Sequence, residues 1–265
     1  MIVALFLACS SSEPPHTQTE LPHAPNPNLE AGEIDPDLHI PSSFVQLEDH
    51  TVDSMKARIQ SSIDEQRPLY TNFGRRSRSR VVADGLNLQA DDILADIGAG
   101  TGAFETLLLE GGYDFQKVYA IDTDKDPLDF LDWMMEAAKL DSSRVDTVHS
   151  NFSSITLPSN SVTKALLLNT PFYLDSKGQP SNNTSARACM KSIVDAIQPN
   201  GLLHIVERHV GKEEEDLHID DPPEQHCSHL AEAFTSLGLE LQKMEMVQLA
   251  KLGEPAHCRV ILQKK

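Results

Sequence analysis

The chain has 265 residues, with 22 Lys and Arg against 40 Asp and Glu, a formal net charge of −18. That length suits one domain of ordinary α/β size with a tail. So acidic a chain disfavours long-range attraction to nucleic acid or to an anionic membrane face, and small-molecule or cationic partners fit it better.

The first element is an apolar run over residues 2–8, IVALFLA, which stops at Cys9 and gives way to polar, proline-bearing sequence. Such a run is too short to span a bilayer as a helix. It resembles the end of a bacterial lipoprotein signal, in which a small residue, here Ala8, precedes a cysteine that becomes lipidated and amino-terminal. Phe6 stands where leucine is usual, and no Lys or Arg precedes the run. The resemblance implies a signal over residues 1–9, a lipid on Cys9 and a membrane-anchored protein on the periplasmic side; without it the chain reads as cytoplasmic. Residues 10–48, rich in Pro, Ser, Glu and His and without apolar periodicity, read as a flexible tether, since they cannot bury enough surface to offset chain entropy. The folded domain is expected over 49–265.

Within that domain, residues 52–63 and 78–86 read as helices, the second preceded by the basic cluster RRSRSR (75–80), which reads as a solvated turn. Short apolar runs then alternate with amphipathic stretches. Strands are expected at 93–97, 118–121, 145–149, 164–168 and 202–206, nearly continuous in apolar residues, as strands covered on both faces should be. One helix begins at Asp126 and Pro127, a cap followed by a first-turn proline, and carries Leu131, Met134, Met135 and Ala138 on one face. Another, over about 185–197, is ended by PNG (199–201). A helix at 226–237, a strand at 239–247, a Gly/Pro turn at 253–255 and a strand at 258–262 complete the chain. The expected fold is α/β: a Rossmann-like, doubly wound, mostly parallel seven-stranded sheet with a C-terminal antiparallel hairpin. Besides Cys9 the cysteines are Cys189, Cys227 and Cys258, too scattered to announce a disulfide framework, and HCSH (226–229) reads as a polar helix start rather than a metal cluster.

The chemistry concentrates in ILADIGAGTGAFETLLLE (93–110). Gly98, Gly100 and Ala103 satisfy a dinucleotide pattern, GxGxxA, which is weak by itself. Asp96 discriminates. It closes the strand two residues before Gly98, where it would repel a pyrophosphate and attract a ligand bearing an amino group and a sulfonium. Asp122, twenty residues past Gly102, ends the next strand and can accept both hydroxyls of a ribose; Asp124 is its competitor.

With these residues in place the chain resembles the class I S-adenosylmethionine-dependent methyltransferases from about residue 70 onward. LADIGAGTG looks like that family's first motif, VYAIDTD its ribose motif, VHSNFSSITLPSNSVTKALLLNT its adenine-reading stretch and fourth strand, and IQPNGLLHIVE its KPGG turn and fifth strand. The resemblance implies S-adenosylmethionine as cofactor, held by Asp96, the Gly98, Gly100 and Gly102 loop, Asp122, and Asn151 with Phe152 at the adenine. Asn151 stands where aspartate is usual, and its amide oxygen can accept the same hydrogen bond. NTPFYL (169–174) resembles the NPPY/NPPF signature of enzymes that methylate planar nitrogens, with Thr170 in place of a proline.

The sulfonium is an activated donor, so such an enzyme mainly aligns an in-line attack and excludes water. The groups expected at the ends of the fourth and fifth strands are Asn169, Tyr173, Glu207 and His209, with Asn169 and Tyr173 the catalytic candidates and Asn169 the favoured positioner. The expected partner is a small-molecule methyl acceptor, with no nucleic acid and no metal, and with membrane contact only through Cys9. Two alternatives stand beside this reading: a non-catalytic, membrane-tethered cofactor-binding or scaffold protein, and an NAD-dependent oxidoreductase, which Asp96 disfavours.

Overall fold

In the computed structural model, which describes residues 52–69, 76–170, 172–174, 180–208, 223–247, 249 and 257–265, helices and strands alternate as the apolar pattern implies. The elements are α1 (Val52–Asp64), α2 (Arg76–Leu86), β1 (Ile93–Ile97), α3 (Ala103–Glu110), β2 (Lys117–Asp122), α4 (Lys125–Ala137), β3 (Val145–His149), β4 (Val162–Leu168), α5 (Thr184–Ala196), β5 (Ile197–Arg208), α6 (Pro223–Thr235), β6 (Leu239–Val247) and β7 (His257–Lys264). The signal-like run with Cys9, the tether at 10–48, and His209 lie outside the described residues.

The strands form one seven-stranded sheet in the order β3-β2-β1-β4-β5-β7-β6. β1 to β5 run parallel, and β7 inserts antiparallel between β5 and β6. From β1 the chain steps outward to β3 and then returns to the other side of β1 as β4. That reversal places a crevice at the carboxyl ends of β1 and β4.

Alternation along β1 divides the core between the two faces of the sheet. Ala95 and Ile97 pack with residues of α5 and α6, whereas Leu94 packs with residues of α1 to α4. Asp96 has the parity of Leu94 and so faces the layer that contains α3. Leu107, Leu108, Leu131 and Met134 in that layer are fully buried. Each such side chain contributes about 1.5–3 kcal/mol through burial.

At the opposite end of the sheet Lys164 anchors the loop that leads into β1. Its Nζ lies 2.7 Å from Asp92 Oδ2 and donates to the carbonyls of Leu86 and Asn87 at 3.0 and 2.8 Å. Burial pushes the Asp92 carboxyl up, but hydrogen bonds from Lys164, Thr163 and Gln89 outweigh that and hold it below the usual range.

Three local expectations are corrected. The PNG segment does not close a helix: α5 ends at Ala196, and β5 starts at Ile197, which pairs with Val162 across a register shift that absorbs the left-handed Asn200 (φ 66°). α4 is capped by Asp124 rather than Asp126, the Asp124 carboxylate accepting the Asp126 N–H at 3.0 Å, so the helix starts two residues before Pro127. Finally, Cys227 and Cys258 form a disulfide between α6 and β7, their Cα atoms 5.5 Å apart. Sequence spacing did not reveal it, because the two residues meet only once α6 packs on the sheet. Within HCSH, His226 and His229 are buried in α6, and no group of His, Cys, Asp and Glu among the described residues is arranged to hold a metal ion.

Candidate functional site

The crevice at the switch point is built on the glycine loop between β1 and α3. Gly98, Gly100 and Gly102 all adopt left-handed backbone, with φ of 81°, 54° and 77°, a region where glycine alone is unstrained. Two of them also need the missing side chain for space: a Cβ on Gly98 would meet Thr170 Oγ1 at 2.5 Å, and one on Gly102 would collide with Leu131. A Cβ on Gly100 would meet nothing within 4 Å, so the loop backbone is open there to a bound molecule.

The loop is tied to the end of β2. Gly98 and Ala99 donate their N–H groups to Ile121 O at 2.8 and 3.0 Å, and Gly100 N–H donates to Asp122 Oδ2 at 2.8 Å. Asp122 Oδ1 accepts from Asp124 N–H at 3.0 Å. A carboxylate offers about four acceptor positions, so Asp122 retains capacity to accept from a ligand hydroxyl. Asp124 instead serves as the α4 cap, its carboxylate accepting the Asp126 N–H.

Three carboxyl groups converge behind the loop. Asp96 is 3% exposed, and burial pushes it up to about 6, with the charge of Asp122 adding to the rise and a hydrogen bond with Glu105 opposing it. Glu105, in the first turn of α3, is fully buried and is pushed well above the usual range, first by burial and then by the charge of Asp96. Asp122 is raised by burial, against which the N–H groups of Asp124, Gly100 and Thr123 pull it down. The sequence reading missed Glu105. The available signal was an acid in AFETLLLE, flanked by residues that all face inward.

The remaining expected residues follow β3 and β4. Asn151 follows β3, and its Oδ1 accepts from both the N–H (2.9 Å) and the hydroxyl (2.7 Å) of Ser153. These two donors use both lone pairs of the amide oxygen, so reading an adenine amino group through it would require this turn to open. Phe152 is half-buried in the same turn.

Asn169, at the end of β4, is left-handed (φ 53°), and its Oδ1 accepts the Arg208 N–H at 3.1 Å, which links the ends of β4 and β5. Thr170 reaches across to Ile97 O (3.3 Å) and lies against Gly98, joining this loop to the glycine loop. Tyr173 is not in the crevice. It is fully buried, packed edge-on against Phe172 and Phe234, with its hydroxyl 3.4 Å from Glu207 Oε2. Glu207, buried at the end of β5, is pushed up to about 8 by burial, and so keeps its proton at neutral pH.

The comparisons with known proteins agree with this geometry at the level of the fold. A search of solved structures matches an S-adenosylmethionine-dependent methyltransferase from Aquifex aeolicus with TM-score 0.53 and 18% identity, covering 82% of this chain and 100% of that one. It also matches the 1,6-didemethyltoxoflavin-N1-methyltransferase of Burkholderia thailandensis, solved with its substrate and S-adenosylhomocysteine, with TM-score 0.51 and 19% identity over 88% of this chain and 93% of that one. The [4+2]-cyclase SpnF matches with TM-score 0.52 and 15% identity, over 70% of this chain and 79% of that one. The architecture is therefore that of the class I, Rossmann-like methyltransferases. No family model and no curated protein sequence matches the chain.

Proposed function

We propose that the chain is an S-adenosylmethionine-dependent methyltransferase acting on a small-molecule acceptor. The observation that carries the reading is the acidity of the crevice: Asp96 and Asp122 end neighbouring strands beside a glycine loop whose backbone is open at Gly100, and Glu105 is buried behind it. Such a site suits a ligand bearing an ammonium and a sulfonium and repels a pyrophosphate. An NAD-dependent reading is disfavoured on the same ground.

When bound, the cofactor supplies a methyl group already activated on sulfur, and the chain's own residues hold, orient and keep out water. Asp96 would hold the ammonium-bearing end, and Asp122 the ribose, with Asn151 and Phe152 bordering the adenine. With its Oδ1 fixed by Arg208 N–H, the Asn169 amide plane is set and Nδ2 is directed as a donor. Asn169 is thereby suited to orient an acceptor. Tyr173 acts through the loop it supports, as a positioning residue.

The test is transfer of labelled methyl from tritiated cofactor to a panel of amines, phenols and carboxylic acids. A labelled acceptor is expected, and Asn169→Ala should lower its turnover tenfold or more with cofactor affinity within about threefold, as for an interaction made mainly in the transition state. Binding without transfer across the panel favours the second reading, a cofactor-binding protein without methyl-transfer activity. One observation keeps that reading in view: the same fold carries a protein described as a [4+2]-cyclase.

We further propose that the protein is a lipoprotein anchored through Cys9 on the periplasmic side of a bacterial membrane. The Cys227–Cys258 disulfide supports this, since such bonds persist in oxidising compartments. Expressed in a bacterium, the wild type should partition with membranes carrying a lipid on Cys9, and Cys9→Ser should abolish the modification. A soluble wild type with an unmodified cysteine would contradict the placement.

A further inference from the structure

Glu105 has no place in the expected site, yet it is an acid buried beside two other acids. It is fully buried, and its carboxyl group meets no donor from elsewhere in the chain, only the carboxyl of Asp96. The titratable groups that act on it are Asp96 from β1 and Asp122 from β2. On α2, which packs against α3, the described charged side chains Arg80 and Asp84 are exposed. Those of α4, from Lys125 to Glu136, are exposed as well. Among the described side chains no cation acts on the three carboxyls. Three ionised carboxylates in one water-poor site would repel each other strongly, so a proton must be shared among them.

A ligand that brings positive charge removes the need for that proton. On the reading that this site holds S-adenosylmethionine, we propose that Glu105 is a proton-releasing member of the cofactor site, a neutral acid beside Asp96 in the free protein that ionises when the cationic ligand enters. The balance is simple: the Glu105 O–H bond breaks, its electron pair stays on the carboxylate, and the proton leaves to the solvent buffer. One positive charge enters as another departs. Cofactor binding is thereby linked to pH, and affinity rises as pH rises through the range in which the free protein holds the proton.

Calorimetric titration of the full chain with S-adenosylmethionine tests this. The titration is run at about pH 7 in two buffers of different ionisation enthalpy, and the difference in heat counts the protons released. That pH lies above the value of about 6 for Asp96. It also lies below the range of a free α-amino group, roughly 7.7–8.0. The wild type should release about one proton per ligand bound. Glu105→Gln, which keeps the shape and has no proton to lose, should release close to none. Binding without proton release by the wild type, or with equal release by both proteins, would overturn the inference and leave the cofactor reading standing. Absence of any binding would overturn both. The wild-type count does not depend on how well the variant folds.

Discussion

Asp96, Gly98, Gly100, Gly102 and Asp122 are residues whose roles follow from backbone placement: two acids close neighbouring parallel strands, and three glycines turn the chain between them. The glycines differ in what a methyl group would meet, which separates their expected costs. Gly100→Ala has open space and suffers only its positive φ, about 1–2 kcal/mol. Gly98→Ala and Gly102→Ala add contact with Thr170 and Leu131 and should lose a further 1–3 kcal/mol or so. Urea unfolding midpoints of the three variants check the order. The acids and the glycines were legible in the sequence because spacing alone places them at a strand end and a helix start. Glu105 was not, because its significance depends on which face of α3 is buried. Asn151 was legible as a position but not as a geometry, since the Ser153 hydrogen bonds that occupy its oxygen are a property of the turn.

At the scale of elements, Asn169 and Thr170 tie the end of β4 to β5 and β1, and the Tyr173 hydroxyl meets Glu207 at the end of β5. Glu207 carries a pH dependence whose sign is fixed. Its folded value of about 8 stands above the ordinary 4.5, so the stability it contributes is full at low pH and is lost as pH rises toward and through about 8. His204 acts oppositely: burial, with help from the charges of Arg259 and Lys164, pushes it down to about 3 from 6.5, and its contribution is lost only as pH falls below 6.5. Between about pH 6.5 and 8 the carboxyls therefore dominate. The unfolding free energy of the wild type should fall across that window, and Glu207→Gln should flatten the slope; an unchanged slope in the variant would remove Glu207 as its source. Element order was readable from apolar runs. The ends were less so at α4, where Asp124 outcompetes Asp126 because its extended backbone lets its carboxylate reach the next-but-one N–H.

For the whole molecule, the C-terminal unit of α6, β6 and β7 is tied to itself by Cys227–Cys258, which closes a sequence separation of 31 residues. A loop of that length is stabilised by about 2–4 kcal/mol when cross-linked. Replacing both cysteines by serine should lower the unfolding free energy by that amount, measured by urea titration under non-reducing conditions. This tie was invisible in the sequence because nothing local marks two cysteines as partners. The parallel order of the inner strands was visible, because βαβ rhythm admits few topologies.

The central claim is that the crevice of Asp96, Asp122 and the open glycine loop holds S-adenosylmethionine. Its most direct test is calorimetric titration of the full chain and of Asp96→Ala and Asp122→Ala with S-adenosylmethionine, with NAD as control. The account predicts binding by the wild type, little response to NAD, and a loss of on the order of 1–3 kcal/mol in each variant as a charge-assisted hydrogen bond is removed. Undiminished affinity in both variants, or binding of NAD in preference, would contradict it.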